Sequence, residues 1–193
     1  LKYLSLIRRR EDFTHEAFRR YYESQHAPLA LGFFPPQLYR RNYADPAVLL
    51  GFDCLCEFAY PDDFDIEAAM ATPAGPALAE DEGRFIERES TRTARASLLC
   101  GEPLAPRPLT DRELWLIPVG NANRLALTAA FKSLPAQSRN GACLEELQPH
   151  WCSEFPYAAL LSLESPMSAS LPSAFSALGT VRLKVASCAS PGN

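Results

Sequence analysis

The chain has no apolar run long enough to cross a bilayer, no glycine-rich phosphate loop, no P-loop lysine and no Cys-x-x-Cys pair, and only three histidines stand among its 193 residues. Each absence removes a class of protein. Without a long apolar stretch a membrane-spanning helix is not expected. Residues 1–9 alternate apolar and polar instead of placing a charged head before an apolar stretch, so a cytoplasmic protein is the expectation. The missing loop and lysine motifs argue against nucleotide chemistry, and no Ser-His-Asp order supports serine hydrolysis. With only His15, His26 and His150 and no attachment motif, haem is not expected, and no other cofactor is called for. Neither sign of charge dominates at a formal net charge of -4, and the one dense basic run, Arg8-Arg9-Arg10, is followed at once by Glu11 and Asp12. That is no nucleic-acid footprint.

Cysteine is present but unorganised. Cys54 and Cys56 stand two apart on one strand face and cannot easily bridge each other, while Cys100, Cys143, Cys152 and Cys188 follow no framework. All six read as reduced thiols acting as small hydrophobes. The spacing of Cys143, His150 and Cys152 matches no common zinc-ligand pattern, so no metal is expected.

What the chain does have is an alternation of strand and helix patterns. Residues 2–9 alternate like a half-buried strand, a helix is predicted over 14–27, and strands follow at 37–44 and 52–60. Asp62 and Asp63 sit where helix caps belong, the next helical stretch breaks near Thr72-Pro73 and resumes to Ile86, and a strand follows near 89–99. The order is βαββαβ. It recurs after the Pro-rich segment 101–109: strand 113–119, helix 125–134, a strand within 143–155, strand 157–164, helix 170–178 and strand 180–187. The expected fold is therefore α+β, built of tandem ferredoxin-like βαββαβ units. They occupy residues 1–100 and 110–193, joined by a linker at 101–109. A sheet with both helices on one face leaves its other face bare, so the units should pack sheet to sheet within one chain as an intramolecular pseudo-dimer. A homodimer paired through the first units is the alternative.

The richest stretch is FTHEAFRRYYESQHAPL at 13–29. Thr14 reads as the N-cap, and Phe18, Tyr22 and His26 recur at i, i+4, i+8 along one helix face. Pro28 should end the helix beside His26. A histidine so placed either closes the helix through a structural hydrogen bond or serves as a titratable group facing a cavity.

Four blocks in order, FTHEAFRRYYESQHAPL, YRRNYA at 39–44, FDCLCEFAY at 52–60 and MATPAGPALAEDEGRFIE at 70–87, resemble the EthD-like branch of the dimeric α/β-barrel superfamily. The resemblance implies the ferredoxin-like fold and the paired-sheet barrel. Such domains include proteins linked to ether breakdown and dehydratase-like members of aromatic polyketide pathways. Related barrels act as cofactor-free cyclases and small monooxygenases, so fold alone does not choose. Carried over by position, the recurrent pocket residues fall on Tyr22, His26, Asp53 and Glu57. The second half lacks the histidine and tyrosine in its first helix, LALTAAFKSL, so one site per chain is expected.

The resulting expectation is a cofactor-independent acid/base enzyme, a lyase of the dehydratase or cyclase type, acting on a small aromatic or polyketide-like carbonyl compound. Its catalytic candidates are His26, Tyr22, Glu57 and Asp53, with Glu57 or Asp53 orienting the imidazole. Phe18, Tyr39, Tyr43, Phe52 and Phe58 would line an apolar pocket for a planar ligand. The alternatives are a cofactor-free monooxygenase and a non-catalytic binding protein. The competing role for Asp53 and Glu57 is pairing with arginines such as Arg40 or Arg92 inside the barrel or at its interface.

Overall fold

The structure is a computed structural model that describes residues 1–34, 36–103, 112–120, 122–164, 171–183 and 185–191. The first half runs β1 (Lys2–Ile7), α1 (His15–Tyr21), a π-helical turn (Tyr22–His26), α2 (Ala27–Phe33), β2 (Leu38–Ala44), β3 (Cys54–Ala59), α3 (Ile66–Met70), α4 (Ala74–Glu82) and β4 (Arg92–Gly101). The second runs β5 (Glu113–Pro118), α5 (Arg124–Lys132), α6 (Ala136–Arg139), β6 (Ala142–His150), β7 (Tyr157–Leu163), α7 (Ser173–Ser176), β8 (Val181–Leu183) and β9 (Val185–Pro191). Most of the linker at 101–109 lies outside the described residues. Among the described residues no helix is long and apolar enough to cross a membrane.

The nine strands of the described residues belong to one antiparallel sheet in the order β8-β5-β7-β6-β4-β1-β3-β2-β9. Its two ends, β8 and β9, are consecutive in the chain, so the last segment pairs first with β5 and then with β2, and the sheet curls into a nearly closed barrel. The final strand predicted at 180–187 is thus longer and divided between the two sheet ends. The halves meet by strand edges, β4 against β6 and β2 against β9. Both edges of the first-half sheet are therefore taken up within the chain, which is where a second copy would otherwise pair. At the β4–β6 seam Gly101 has φ +81°, and a Cβ there would lie 2.1 Å from the Ala142 carbonyl oxygen, so only glycine fits.

The alternation of each strand divides its side chains between two environments. Leu4, Leu6, Leu55, Ala94, Leu114, Leu116, Leu147 and Leu160 form the apolar part of the barrel interior, drawn from both halves. A charged layer lies beside them. Glu57, fully buried, accepts two hydrogen bonds from Arg112, one of them 3.1 Å long, and one of 2.9 Å from the Asn42 amide. Lys2 Nζ stands 2.9 Å from it, and Arg40 lies 3.8 Å away. Burial works against the Glu57 charge, yet Arg112, Lys2 and Arg40 hold its carboxyl well below the usual range. Glu57 is thus a structural ion pair in the barrel and does not orient His26: on an outward-facing strand, apolar Cys54, Cys56 and Phe58 turn to the helices and leave the inner face to Leu55 and Glu57.

Two local expectations change. The helix does not end at His26 but continues to Phe33. Pro28 removes the amide that would bond the carbonyl four residues back, and the chain absorbs this by widening: the Ala27 amide donates to the Tyr22 carbonyl in a π-turn. The second helical stretch starts at Asp65, whose side chain caps the Ala68 amide at 2.9 Å, and not at Asp62 or Asp63.

Removing the Glu57 charge leaves Arg112 buried without its carboxylate and Lys2 with Glu145 alone. Glu57→Gln is expected to cost about 3 kcal/mol in urea unfolding at pH 7. Because the folded-state pKa is depressed, the wild-type contribution is complete above the ordinary glutamate value of 4.5 and is lost progressively as pH falls from there through the lower folded-state value. The stability difference between the two proteins should therefore persist at pH 5 and shrink only in stronger acid.

Candidate functional site

The helices of the first half do not lie flat on the sheet. Between them and the outward faces of β1, β3 and β4 is a cavity of about 300 Å³. Its walls are largely apolar and aromatic: Ile7, Phe34, Tyr39, Phe58, Tyr60, Leu78 and Phe85. Tyr22 and His26 enter from the π-turn, which sets their rings edge to face with centroids 5.0 Å apart. Their i, i+4 spacing puts both on one buried face, and the widened turn keeps them there before the helix resumes past Pro28.

His26 is 6 % exposed. Its Nδ1 stands 2.9 Å from Asp81 Oδ2, and the other oxygen of that carboxylate accepts a 2.7 Å hydrogen bond from the Tyr21 hydroxyl. An ionised carboxylate only accepts, so it fixes the tautomer with the proton on Nδ1 and leaves the lone pair of the imidazole on Nε2. Asp81 reaches this position from α4, where Leu78 and Asp81 share the packed face, and Phe85 follows in the turn after the helix. An acid within that apolar stripe is the signal that sequence reading passed over. Gly75 lets α4 begin tightly against α3, since a Cβ there would lie 2.0 Å from the Met70 carbonyl oxygen.

Of the remaining polar groups, Glu82 and Arg88 pair with each other at 3.0 Å on the cavity wall, and the others are uncharged. The Tyr39 hydroxyl donates to that of Tyr22, and Tyr22 to Cys56 Sγ, both at 3.5 Å, the long limit of a useful bond. Burial holds both phenols well above their ordinary pKa, with the neighbouring Cys56 adding to the shift, and burial pushes the Cys56 thiol itself up to about 12. On the β1 and β4 side Ser5 and Thr93 share a 2.9 Å hydrogen bond at the cavity wall.

The structure thus gathers Tyr22, His26, Tyr39 and Phe58 around one space and leaves the other candidates elsewhere. Asp53 pairs with Arg9, accepting its amide at 2.9 Å, and stands 3.1 Å from His15 Nδ1, at a separate surface cleft. The loop before β3 aims it away from the cavity. Phe18 packs behind Tyr22 against Phe85 and Tyr43. Tyr43 donates to Glu23 at 2.6 Å and helps Arg41 clamp the π-turn to β2. Phe52 turns into the barrel core. Arg92 serves backbone carbonyls and not Asp53 or Glu57. Residues missed from sequence are Asp81, Phe85, Ser5, Thr93 and Trp151. The last comes from beyond β6, in the half expected to carry no site.

The molecule is a helix-flanked antiparallel α/β barrel with an aromatic-walled cavity, backed by a buried histidine–carboxylate pair, of the kind that small molecules occupy. Residues 10–89 match the family model of the EthD domain, so the first half of the chain carries an EthD domain. No curated protein and no solved structure matches the chain.

The six cysteines are all free, and three of them are buried. At pH 8 the thiolate fraction at Cys54, Cys56 and Cys143 is negligible, since burial raises all three. Non-reducing mass spectrometry is expected to find six thiols, and a disulfide-exchange reagent at pH 8 to titrate Cys100, Cys152 and Cys188 well before the others in folded protein.

Proposed function

We propose that the cavity is the active site of a cofactor-independent acid/base enzyme, a lyase of the dehydratase or cyclase type acting on a small aromatic or polyketide-like carbonyl compound. The observation that carries this reading is His26 in the wall of a largely apolar and aromatic cavity, backed by buried Asp81 at Nδ1, with the second imidazole nitrogen left as a base. His26 Nε2 takes the acidic proton next to the substrate carbonyl. Tyr22 or Tyr39, kept protonated by burial, turns its hydroxyl from a weak 3.5 Å contact to the carbonyl oxygen, where enolate charge develops. The imidazolium then returns the proton to the departing β-hydroxyl, and the products are an enone and water. Every proton is accounted for within the pair and the substrate. Asp81 is a positioning residue that holds the tautomer and stabilises the imidazolium.

The same reading takes residues 1–100 and 110–193 as two ferredoxin-like units forming an intramolecular pseudo-dimer. Its support is the repeated strand order, β4-β1-β3-β2 in one half and β8-β5-β7-β6 in the other. The first unit keeps the site.

His26→Gln should fold with an unchanged melting temperature and lose two to four orders of magnitude (~100- to 10,000-fold) in turnover of β-hydroxycarbonyl substrates, such as the aldol adduct of benzaldehyde and acetone. Asp81→Asn should lower kcat with little change in KM, because it disturbs the imidazole and not the apolar walls. Undiminished turnover in folded His26→Gln would make the cavity a binding site alone. Oxygen uptake on turnover would identify a monooxygenase instead.

A further inference from the structure

Of the side chains that line the cavity, Met70, Arg88 and Trp151 are exposed, so the cavity meets solvent among them. Trp151 belongs to the second half and immediately follows β6. Its φ is +58°, the left-handed region that bulky residues avoid, and it is the one non-glycine residue with positive φ among those described. The turn that holds it there is tied to the cavity wall: His150 pairs with Thr93, and Cys152 Sγ donates to the Thr93 carbonyl at 3.1 Å. The indole lies parallel to Tyr3, 3° between planes and 6.1 Å between centroids, and against His150 at 4.3 Å. Tyr3 in turn stacks on Phe58 inside the cavity. More than half of the Trp151 surface, 54 %, remains exposed.

A large aromatic residue in strained backbone, braced by rings behind it and open at the mouth, is poorly explained by packing alone. We propose that Trp151 is a substrate-stacking residue: the second half completes the first half's site by supplying an indole face at its mouth, and this selects planar aromatic ligands over saturated ones of the same shape. The proposal deepens the functional reading above by naming the ligand class, and it rests on that cavity being the binding site but not on His26 chemistry.

The test measures binding of acetonaphthone, a flat aromatic methyl ketone, and of its saturated counterpart acetyldecalin, by calorimetry on the whole protein. Trp151→Gly relieves the backbone strain, so its melting temperature should equal or exceed that of the wild type. Its affinity for acetonaphthone should nonetheless fall about tenfold. Trp151→Phe should stay within about threefold of wild type, and acetyldecalin should bind all three proteins alike. Unchanged acetonaphthone affinity in Trp151→Gly, no acetonaphthone binding by the wild type, or equal losses for both ketones would overturn the proposal. The acid/base reading fails separately, through turnover that survives in His26→Gln.

Discussion

The Glu57 carboxylate, sealed inside the barrel, is the interaction on which the rest of this structure depends. It takes hydrogen bonds from Arg112 in the second half and Asn42 in the first, and Lys2 beside it is bonded to Glu145 of the second half. A buried charge of this kind adds little net stability over apolar packing, but leaving any partner unmatched is costly. Its effect is therefore on specificity: one register of β3, and one seating of the two halves, satisfies all the charges. A one-residue slip of β3 would put Glu57 among the helices and Cys56 among the arginines.

That register also builds the site. With Glu57 turned inward, Cys56 and Phe58 face outward and form the floor of the cavity beneath the helices. The same alternation on β1 sends Leu4 and Leu6 into the barrel core and Ser5 to the cavity wall. On β4, Ala94 and Ala96 fill the core while Thr93 faces the cavity. Barrel and cavity are two sides of one set of strands, so the ion pair that fixes one fixes the other. The helical wall has its own lock, the Glu23–Arg41–Tyr43 cluster, in which three charge-assisted hydrogen bonds to the Glu23 carboxylate hold the π-turn to β2.

How much of this could be read from the residues follows from the range of each signal. Strand and helix periods are local, so the order of elements and the sharing of one strand face by Cys56 and Phe58 were legible, as was the sharing of one helix face by Tyr22 and His26; which strand face meets the helices was not. The partner of His26 was not. Asp81 is 55 residues away, and no local pattern couples the two. Asp53 and Glu57 looked suitable because they were acids on a nearby strand, but a strand cannot send neighbouring even and odd positions to the same side. Pro28 misled for a different reason. The rule that proline stops helices assumes an unchanged turn, and a single wider turn lifts the clash. The closing of the sheet by β8 and β9 and the reach of Trp151 into the first half's cavity are long-range facts with no local trace.

Among the described residues, the two halves differ in what fills the space between helices and sheet. In the second half α5 and α7 press Leu127, Ala130, Phe131 and Phe175 onto β5, β6 and β7, where they meet Ile117, Leu144, Ala159 and Leu161 in a closed apolar core. In the first half the matching zone is held apart. The aromatic rings of Tyr22, Tyr39 and Phe85 are stiff and cannot collapse onto one another. Ser5 and Thr93 satisfy each other without filling volume, and His26 is pinned to Asp81 instead of packing inward. Such a space is stable only if the surrounding frame is rigid, because a soft core would relax into it. The second half supplies that rigidity by pairing with both edges of the first-half sheet and by neutralising Glu57 from within. The closed core of that half is thus part of what lets the cavity beside it stay open.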